Sequence, residues 1–136
     1  MIYQRTVTAA VALIALVGAA HAVPLTQADV RTSDSYAACL DKSGGVTPAM
    51  EDCISEELEL QDRRLNRVYK ALMASAPEKR RAELRDAQRK WIAFRDANCE
   101  FYYDPQGGSA ARLASKECVV TLTADRAHEL EILKGE

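Results

Sequence analysis

The amino-acid sequence predicts an all-α protein, an antiparallel three-helix bundle with a short N-terminal helical turn and two disulfide bonds. Apolar residues recur at steps of three and four over three long stretches of the chain, which is the pattern of amphipathic helices. Proline and glycine clusters separate these stretches, and short connections favour antiparallel neighbours. Four cysteines in a chain of this length indicate a disulfide framework if the protein is exported.

The first 22 residues have the pattern of a cleavable secretory signal peptide. Arg5 is their only charged residue, an apolar stretch follows over residues 7–20, and Ala20-His21-Ala22 provides the small residues that signal peptidase requires. A transmembrane anchor is the alternative, but an apolar stretch of about 14 residues is too short to span a bilayer. The pattern therefore favours export over anchoring.

Cleavage of this segment defines the expected mature protein. It consists of a loose leader over residues 23–35 and one helical domain over residues 36–136. The whole sequence has a formal net charge of −2, and the loss of Arg5 changes this charge to −3. Such mild acidity argues against nucleic acid or an anionic membrane surface as a partner. We expect a monomer without a membrane anchor, located in the periplasm or secreted.

Capping and helix-breaking residues predict the boundaries of the helices. Thr47 has the position of an N-cap, Pro48 that of the first helical residue, and Glu51 lies close to the spacing of a capping box. Pro77 has the first helical position of the next helix, which the turn residues 104–109 must end. The predicted elements are a helical turn at 36–40 and helices over 48–75, from 77 to the turn residues, and over 109–133.

The four cysteines can pair in three ways. A zinc site is the alternative, but the sequence contains no Cys-x-x-Cys pair and the cysteines are widely spaced. Cys39 and Cys53 flank the loop before the first long helix, and Cys99 and Cys118 flank the Gly-Gly turn between the second and third. We therefore favour the pairs Cys39–Cys53 and Cys99–Cys118, and we predict no metal and no cofactor.

Polar residues on the inward faces of the predicted helices are a further feature. Trp91, Arg95 and Cys99 lie at i, i+4 and i+8, so their side chains point to one side of the helix. Because buried charges must be paired, we expect Asp62 to pair with Arg95 or Arg126. The favoured interpretation is a network that fixes helix register, and the alternative is a polar cleft for a ligand. The predicted network comprises Asp62, Asn66, Tyr69, Gln88, Trp91, Arg95 and Arg126.

Two segments give the chain a specific combined pattern, Asp62-x-x-Leu65-Asn66-x-x-Tyr69 and Gln88-x-x-Trp91-x-x-Phe94-Arg95. Together with Cys99, Gly107-Gly108-Ser109 and Cys118, this pattern resembles the LprI-type lysozyme-inhibitor domain family of small exported bacterial helical domains. The resemblance covers residues 39–133 and implies a helical domain with paired cysteines and inhibition of lysozyme. One departure is that the chain has no lipid-acceptor Cys at its cleavage site, although the family is named after a lipoprotein.

Two parts of the chain are candidates for contact with a basic lysozyme, which holds its catalytic carboxylates in a cleft. The acidic run over residues 51–59 would steer association. The loop between the second and third helices would plug the cleft, because the bridge Cys99–Cys118 keeps it stiff. The alternative is that this loop is a mere connecting turn. The candidate binding residues are Tyr102, Tyr103, Asp104, Gln106, Gly107, Gly108, Ser109, Glu56 and Glu57.

The sequence offers little for catalysis. His128 is the only histidine after cleavage of the signal, and oxidised cysteines supply no thiol nucleophile. No feature separates the pKa values of two carboxylates as glycosidases require. We predict no catalytic residue and a non-enzymatic binding protein that inhibits lysozyme-type muramidases. The alternative is an envelope or host-facing interaction or structural module without lysozyme inhibition, and a cell-wall hydrolase is a less favoured third class.

Overall fold

The computed structural model describes residues 31–135, and this part of the chain contains four α-helices and no strand. The all-α prediction is confirmed for these residues, with three long helices at the predicted places. The predicted signal peptide at residues 1–22 and residues 23–30 of the predicted leader lie outside the described residues. The helices are α1 (Asp34–Ser43), α2 (Thr47–Ser75), α3 (Glu78–Phe101) and α4 (Gly108–Lys134).

The central helix of the bundle is α4, because it packs against both α2 and α3. Glu51 and Arg64 of α2 contact Arg112 and Glu131 of α4 in the same chain order, so these two helices run parallel. Consecutive long helices are antiparallel, as their short connections predict. α1 folds back along the start of α2 and packs against it.

Both predicted disulfides are present. Cys39–Cys53 joins α1 to α2, and Cys99–Cys118 joins α3 to α4, with Cα–Cα distances of 5.8 and 5.4 Å. Their partners are separated by 14 and 19 residues along the chain, and each bridge contributes about 3 kcal/mol in the chain-entropy model. Since α1 has no fully buried residue, its attachment depends strongly on its disulfide.

The apolar core lies between α2 and α4, and one cluster of it lies toward their C-terminal ends. Leu65 and Val68 of α2 pack with Ala127 and Leu130 of α4, and all four side chains are buried. Partly buried apolar residues from α2 and α3 cover this cluster. They are Tyr69, Leu72, Leu84 and Trp91. Because α3 contributes only to the edge of this core, most of its surface stays exposed.

The starts of the two longest predicted helices differ from the prediction by one residue. Thr47 is already the first residue of α2, and neither it nor the preceding Val46 makes a side-chain capping hydrogen bond. Pro77 precedes α3 and is not its first residue. Glu51 completes no capping box, because its carboxylate binds two cations of α4 at 2.6 and 3.2 Å instead.

The helical turn predicted at residues 36–40 is a longer helix, α1. Ser33 caps its start, since the Ser33 Oγ accepts a hydrogen bond from the Tyr36 N–H at 3.1 Å. Gly44 ends it with a φ of 58°, a conformation that glycine adopts without strain. The apolar pattern predicted too short a helix, because α1 buries no apolar face.

Candidate functional site

The connection between α3 and α4 is an exposed loop that a disulfide holds at its base. Residues 102–107 are all exposed, and Cys99–Cys118 joins the two helices that flank them. The N–H groups of Tyr102 and Tyr103 donate hydrogen bonds to the carbonyls of Cys99 at 3.2 Å and Glu100 at 2.9 Å. These hydrogen bonds therefore fix the path of the backbone where the loop leaves α3. The loop presents Tyr102, Tyr103, Asp104 and Gln106 at one end of the bundle.

A tight turn inside this loop depends on Asp104 and on two glycines. The Asp104 carboxylate accepts a hydrogen bond from the Gln106 N–H at 2.8 Å, and the Asp104 carbonyl accepts one from the Gly107 N–H at 2.9 Å. Gly108 has a φ of +61°, a conformation that glycine adopts without strain. Gly107 has a negative φ of −80° but lacks space, because a Cβ would lie 2.6 Å from the Ala111 Cβ. The turn delivers the chain directly into α4, whose first turn contains the exposed Ser109.

Three consecutive aromatic residues, Phe101, Tyr102 and Tyr103, form the entrance to the loop. The Phe101 side chain is 88% exposed, although no site role was predicted for it. Its ring stands edge-on to that of Tyr102, with the centroids 6.4 Å apart. Large exposed aromatic side chains are typical anchors of protein interfaces. The run of three aromatic residues before a turn is the sequence signal that indicates Phe101.

The acidic run of α2 divides into paired, buried and exposed residues. Glu51 is paired with α4, and its pKa is lowered chiefly by a hydrogen bond from Arg112. Glu57 is buried, so it does not belong to the exposed acidic surface on which it was predicted. The exposed acidic residues of this part of α2 lie on its outer face at i, i+4 and i+7. They are Asp52, Glu56 and Glu59.

The buried carboxylate of Glu57 holds the chain that precedes α1. It accepts hydrogen bonds from the N–H and the Oγ of Ser33 at 2.8 and 2.5 Å, and from the Gln61 amide at 2.6 Å. The Gln61 amide also donates to the carbonyl of Arg31 at 3.3 Å. Residues 31–33 are therefore bound to α2, whereas the sequence predicted a loose leader there. Glu57 has this role because it lies one helical turn before Gln61, on the buried face of α2.

A second ion pair joins α2 to α4 beside this network. The Arg64 guanidinium donates two hydrogen bonds to the Glu131 carboxylate at 2.7 and 2.5 Å. It donates further hydrogen bonds to the Arg31 carbonyl at 3.0 Å and to the Gln61 amide oxygen at 3.2 Å. The hydrogen bond from Arg64 lowers the pKa of Glu131, despite the opposing effect of burial. This pair was not predicted.

Trp91 lies between two arginines at the seam of α3 and α4. The guanidinium carbons of Arg95 and Arg126 are 5.2 and 5.9 Å from the centre of a Trp91 ring, within range of cation–π attraction. Arg126 donates a hydrogen bond to the Gln88 side chain at 3.1 Å, and Arg95 donates one to the buried Thr123 hydroxyl at 3.3 Å. The structure therefore brings together four of the seven residues of the predicted polar network.

The other three residues of that network, Asp62, Asn66 and Tyr69, lie elsewhere on α2. The predicted pairing of Asp62 with Arg95 or Arg126 is wrong, because Arg95 pairs with Asp96 at 2.8 Å and Arg126 with Glu129 at 2.7 Å. Asn66 is exposed, and Tyr69 packs against the apolar core. The cause is the helix order, since α4 supplies the main packing partner for both α2 and α3.

A cleft of about 240 Å³ lies between α1 and α2, next to their disulfide. Tyr36, Glu56 and Arg63 are among its lining residues. Burial raises the pKa of Tyr36 to about 12, and the negative charges of Glu117 and Glu57 raise it further. A phenol with so high a pKa stays protonated at neutral pH, so it can donate a hydrogen bond but is a poor base.

The described residues offer no arrangement typical of metal-dependent chemistry. Within residues 31–135, no three His, Cys, Asp or Glu side chains are grouped so that they could hold a metal ion. The Nδ1 of His128 lies 3.9 Å from the carboxylate of Glu131, which Arg64 already binds. In the same part of the chain, no helix combines the length and apolar character needed to cross a membrane.

These features define a small helical domain, crosslinked by two disulfides, that presents an exposed loop at one end of the bundle. The family model described as "Lysozyme inhibitor LprI" matches residues 39–130, and the chain belongs to this family. The resemblance identified from the sequence is thus confirmed, and so is a lysozyme-inhibitor-like function at the level of the family. Together with the disulfides, family membership indicates a protein that resides outside the cytoplasm.

A relative of this chain is known from Rhizobium meliloti (strain 1021), where it is described as an uncharacterized protein. It is 30% identical over 95 residues, which cover 60% of this chain and 68% of the relative. No solved structure matches this chain significantly.

Proposed function

We propose that this protein is a periplasmic or secreted, non-enzymatic inhibitor of lysozyme-type muramidases, and that the loop between α3 and α4 enters the enzyme's cleft. The observation that carries this proposal is the exposed, disulfide-held turn of residues 102–107. Since its shape is fixed before binding, little conformational entropy is lost when it binds. Tyr102 and Tyr103 supply contact area, and Asp104 supplies a negative charge.

The charge distribution around the loop supports a basic partner. The loop lies at the end of the bundle where α2 begins, because Arg112, in the second turn of α4, binds Glu51 at 2.6 Å. Asp52, Glu56 and Glu59 are exposed on this half of α2, and Glu59 also forms an exposed ion pair with Arg63 at 3.5 Å. An acidic surface steers a basic lysozyme toward the loop and raises the association rate more than it raises affinity.

The carboxylates of α2 are better suited to binding than to catalysis. Glu51 is occupied by two cations, which lower its pKa and disfavour a role as general acid. Glu57 is fully engaged by Ser33 and Gln61. A cell-wall hydrolase would need one carboxylic acid that stays protonated near neutral pH. We therefore propose that the protein has no hydrolytic activity of its own.

The deciding experiment measures lysis of cell-wall substrate by c-type and g-type lysozymes, with and without the purified mature protein. Inhibition at micromolar concentration or below supports the proposal. Tyr103→Ala should weaken inhibition at least about tenfold, the loss expected for an interface anchor. Leu133→Ala, an equally simple truncation of an exposed residue at the opposite end of the bundle, should leave inhibition unchanged.

Other outcomes lead to different functions. If no lysozyme is inhibited, the proposal is wrong, and an envelope or host-facing interaction module becomes the better interpretation. If Tyr103→Ala and Leu133→Ala weaken inhibition equally, the binding surface lies outside the loop. Lysis by the protein alone would indicate a hydrolase.

A further inference from the structure

One face of α3 carries an exposed apolar stripe that the lysozyme proposal does not use. We define the α3 stripe as Ala87, Phe94, Ala97 and Phe101, all of which are exposed. The two phenylalanine side chains are 57% and 88% exposed. Ala87, Phe94 and Phe101 are seven residues apart, and Ala97 lies three residues after Phe94. This is the spacing by which one helix packs along another.

The stripe is separate from the face by which α3 joins the bundle. That inner face contains Leu84, Trp91 and Cys99, which contact the core or form the disulfide to α4. At 100° per residue, Phe94 lies about 100° from the direction midway between Trp91 and Cys99, so it projects from the side of the helix. Cys99 is the only fully buried residue of α3, so the helix has a second face free for packing.

Charge is segregated along the same helix. Residues 78–90 contain six basic and three acidic side chains, whereas residues 91–104 contain one basic and three acidic side chains. The single basic residue of the second segment, Arg95, is turned toward α4 and paired with Asp96. Arg89 and Lys90 share one carboxylate, that of Asp86, so the first segment keeps a positive excess.

We propose that the α3 stripe is the interface of a symmetric homodimer, in which α3 packs antiparallel against α3 of a second copy. A two-fold axis near residues 95–96 sets Phe94 of one copy against Ala97 of the other. The same register brings Phe101 against the aliphatic part of Lys90, about one helical turn from Ala87. The positive first segment of each α3 then faces the negative second segment of its partner.

A second copy fits this stripe better than an unrelated partner, because the helix is complementary to itself. Large and small apolar residues exchange places about the axis, as Phe94 and Ala97 do. Glu100 of each copy comes opposite Lys90 of the other. Because of the two-fold symmetry, each of these contacts occurs twice, which increases the stability of the assembly. The monomer expected from composition did not take this face into account.

The test measures the mass of the mature protein by sedimentation equilibrium, from low micromolar to several hundred micromolar concentration. We expect a dimer for the wild type. For Phe94→Glu we expect a monomer, with a dimer dissociation constant at least about tenfold higher than that of the wild type. The matched control is Ile92→Glu, because Ile92 is also an exposed apolar residue of α3, at 40%, but points to another side. This control should remain dimeric, and circular dichroism verifies that both variants are folded.

Charge reversal tests the antiparallel register. Lys90→Glu and Glu100→Lys should each weaken the dimer, and the double variant should restore it. A wild type that stays monomeric over the whole range would overturn the proposal, as would equal effects of Ile92→Glu and Phe94→Glu. If the wild type is monomeric but Phe94→Glu abolishes lysozyme inhibition, the stripe belongs to the lysozyme-binding surface instead. Dimerisation and inhibition are thus tested by separate readouts.

Discussion

Arg64→Met removes one of the cations that join α2 to α4, and we expect it to destabilise the protein by about 2–3 kcal/mol. Arg64 donates two hydrogen bonds to Glu131, one to Gln61 and one to the Arg31 carbonyl. Removing one partner of a fully buried ion pair costs about 3–5 kcal/mol, because the remaining charge is left without a partner. The side chains of Arg64 and Glu131 retain 23% and 15% exposure, so water compensates part of this loss.

Urea unfolding followed by circular dichroism measures this loss, and a thermal melt should show a decrease of about 10–20 °C. Arg63→Met is the matched control, since the neighbouring arginine pairs with Glu59 at 3.5 Å across an exposed surface. Those two side chains are 67% and 76% exposed, so that pair should contribute less than about 0.5 kcal/mol.

A double-mutant cycle with Glu131→Gln separates the ion pair from the other contacts of Arg64. We expect a coupling free energy of about 1–2 kcal/mol between the two positions. If Arg64→Met costs no more than Arg63→Met, the ion pair of Arg64 with Glu131 does not stabilise the seam between α2 and α4, and the reasoning is refuted.

The same pair gives a dependence on pH. The pKa of Glu131 is lower in the folded protein than its ordinary value of 4.5, so the folded state binds this proton more weakly than the unfolded state. The stabilisation is therefore complete above pH 4.5 and is lost as the pH falls through the lowered pKa. The stability difference between wild type and Glu131→Gln should shrink in that acidic range. A difference that stays constant would contradict the assignment of the pKa shift to Arg64.

Three further predictions concern other parts of the bundle. Leu130→Ala, at a fully buried position of the core, should cost about 2–5 kcal/mol in urea unfolding, and a loss below 1 kcal/mol would show that the cavity collapses. Gly107→Ala should weaken lysozyme inhibition by displacing the loop, because its Cβ would lie 2.6 Å from the Ala111 Cβ; unchanged inhibition would mean that the turn adapts. In a spectrophotometric titration, Tyr36 should ionise above the ordinary pH range of tyrosine, with a pKa of about 12, and Tyr36→Phe should remove this ionisation step. Because this pKa is raised, its contribution to stability should be lost as the pH rises from 10 toward 12.

The helices and disulfides could be predicted because their signals are local in the sequence. Apolar periodicity indicates one face of α2, and a disulfide between residues that flank a short connection needs little knowledge of the tertiary fold. The polar contacts could not be predicted in this way. Periodicity shows that Asp62 and Arg95 lie near inward faces, but it does not show which helices are neighbours. The arrangement around α4 decides that Arg95 meets Thr123 and not Asp62.

The candidate site was likewise predictable only in part. The loop of residues 102–107 was predictable from turn residues between two cysteines, and it is exposed as expected. Glu57 was misassigned, because a glutamate in an acidic run resembles its exposed neighbours. Its position one turn before Gln61 on the inner face was the signal against exposure. The hydrogen bonds from Ser33 and Gln61 explain how a carboxylate can be stable there.

The two ends of the bundle are stabilised by different means, and this difference bears on how the loop can be exposed. Toward the C-terminal ends of α2 and α4, Leu65 and Leu130 belong to an apolar cluster. At the opposite end, the cysteines Cys53 and Cys99 are among the buried residues, and ion pairs of Glu51 join α2 to α4. Covalent crosslinks and ion pairs thus add to the apolar burial of Ile54 at the end that carries the loop. Aromatic side chains of that loop can then stay in solvent, available to a partner, without loss of the core that holds the fold.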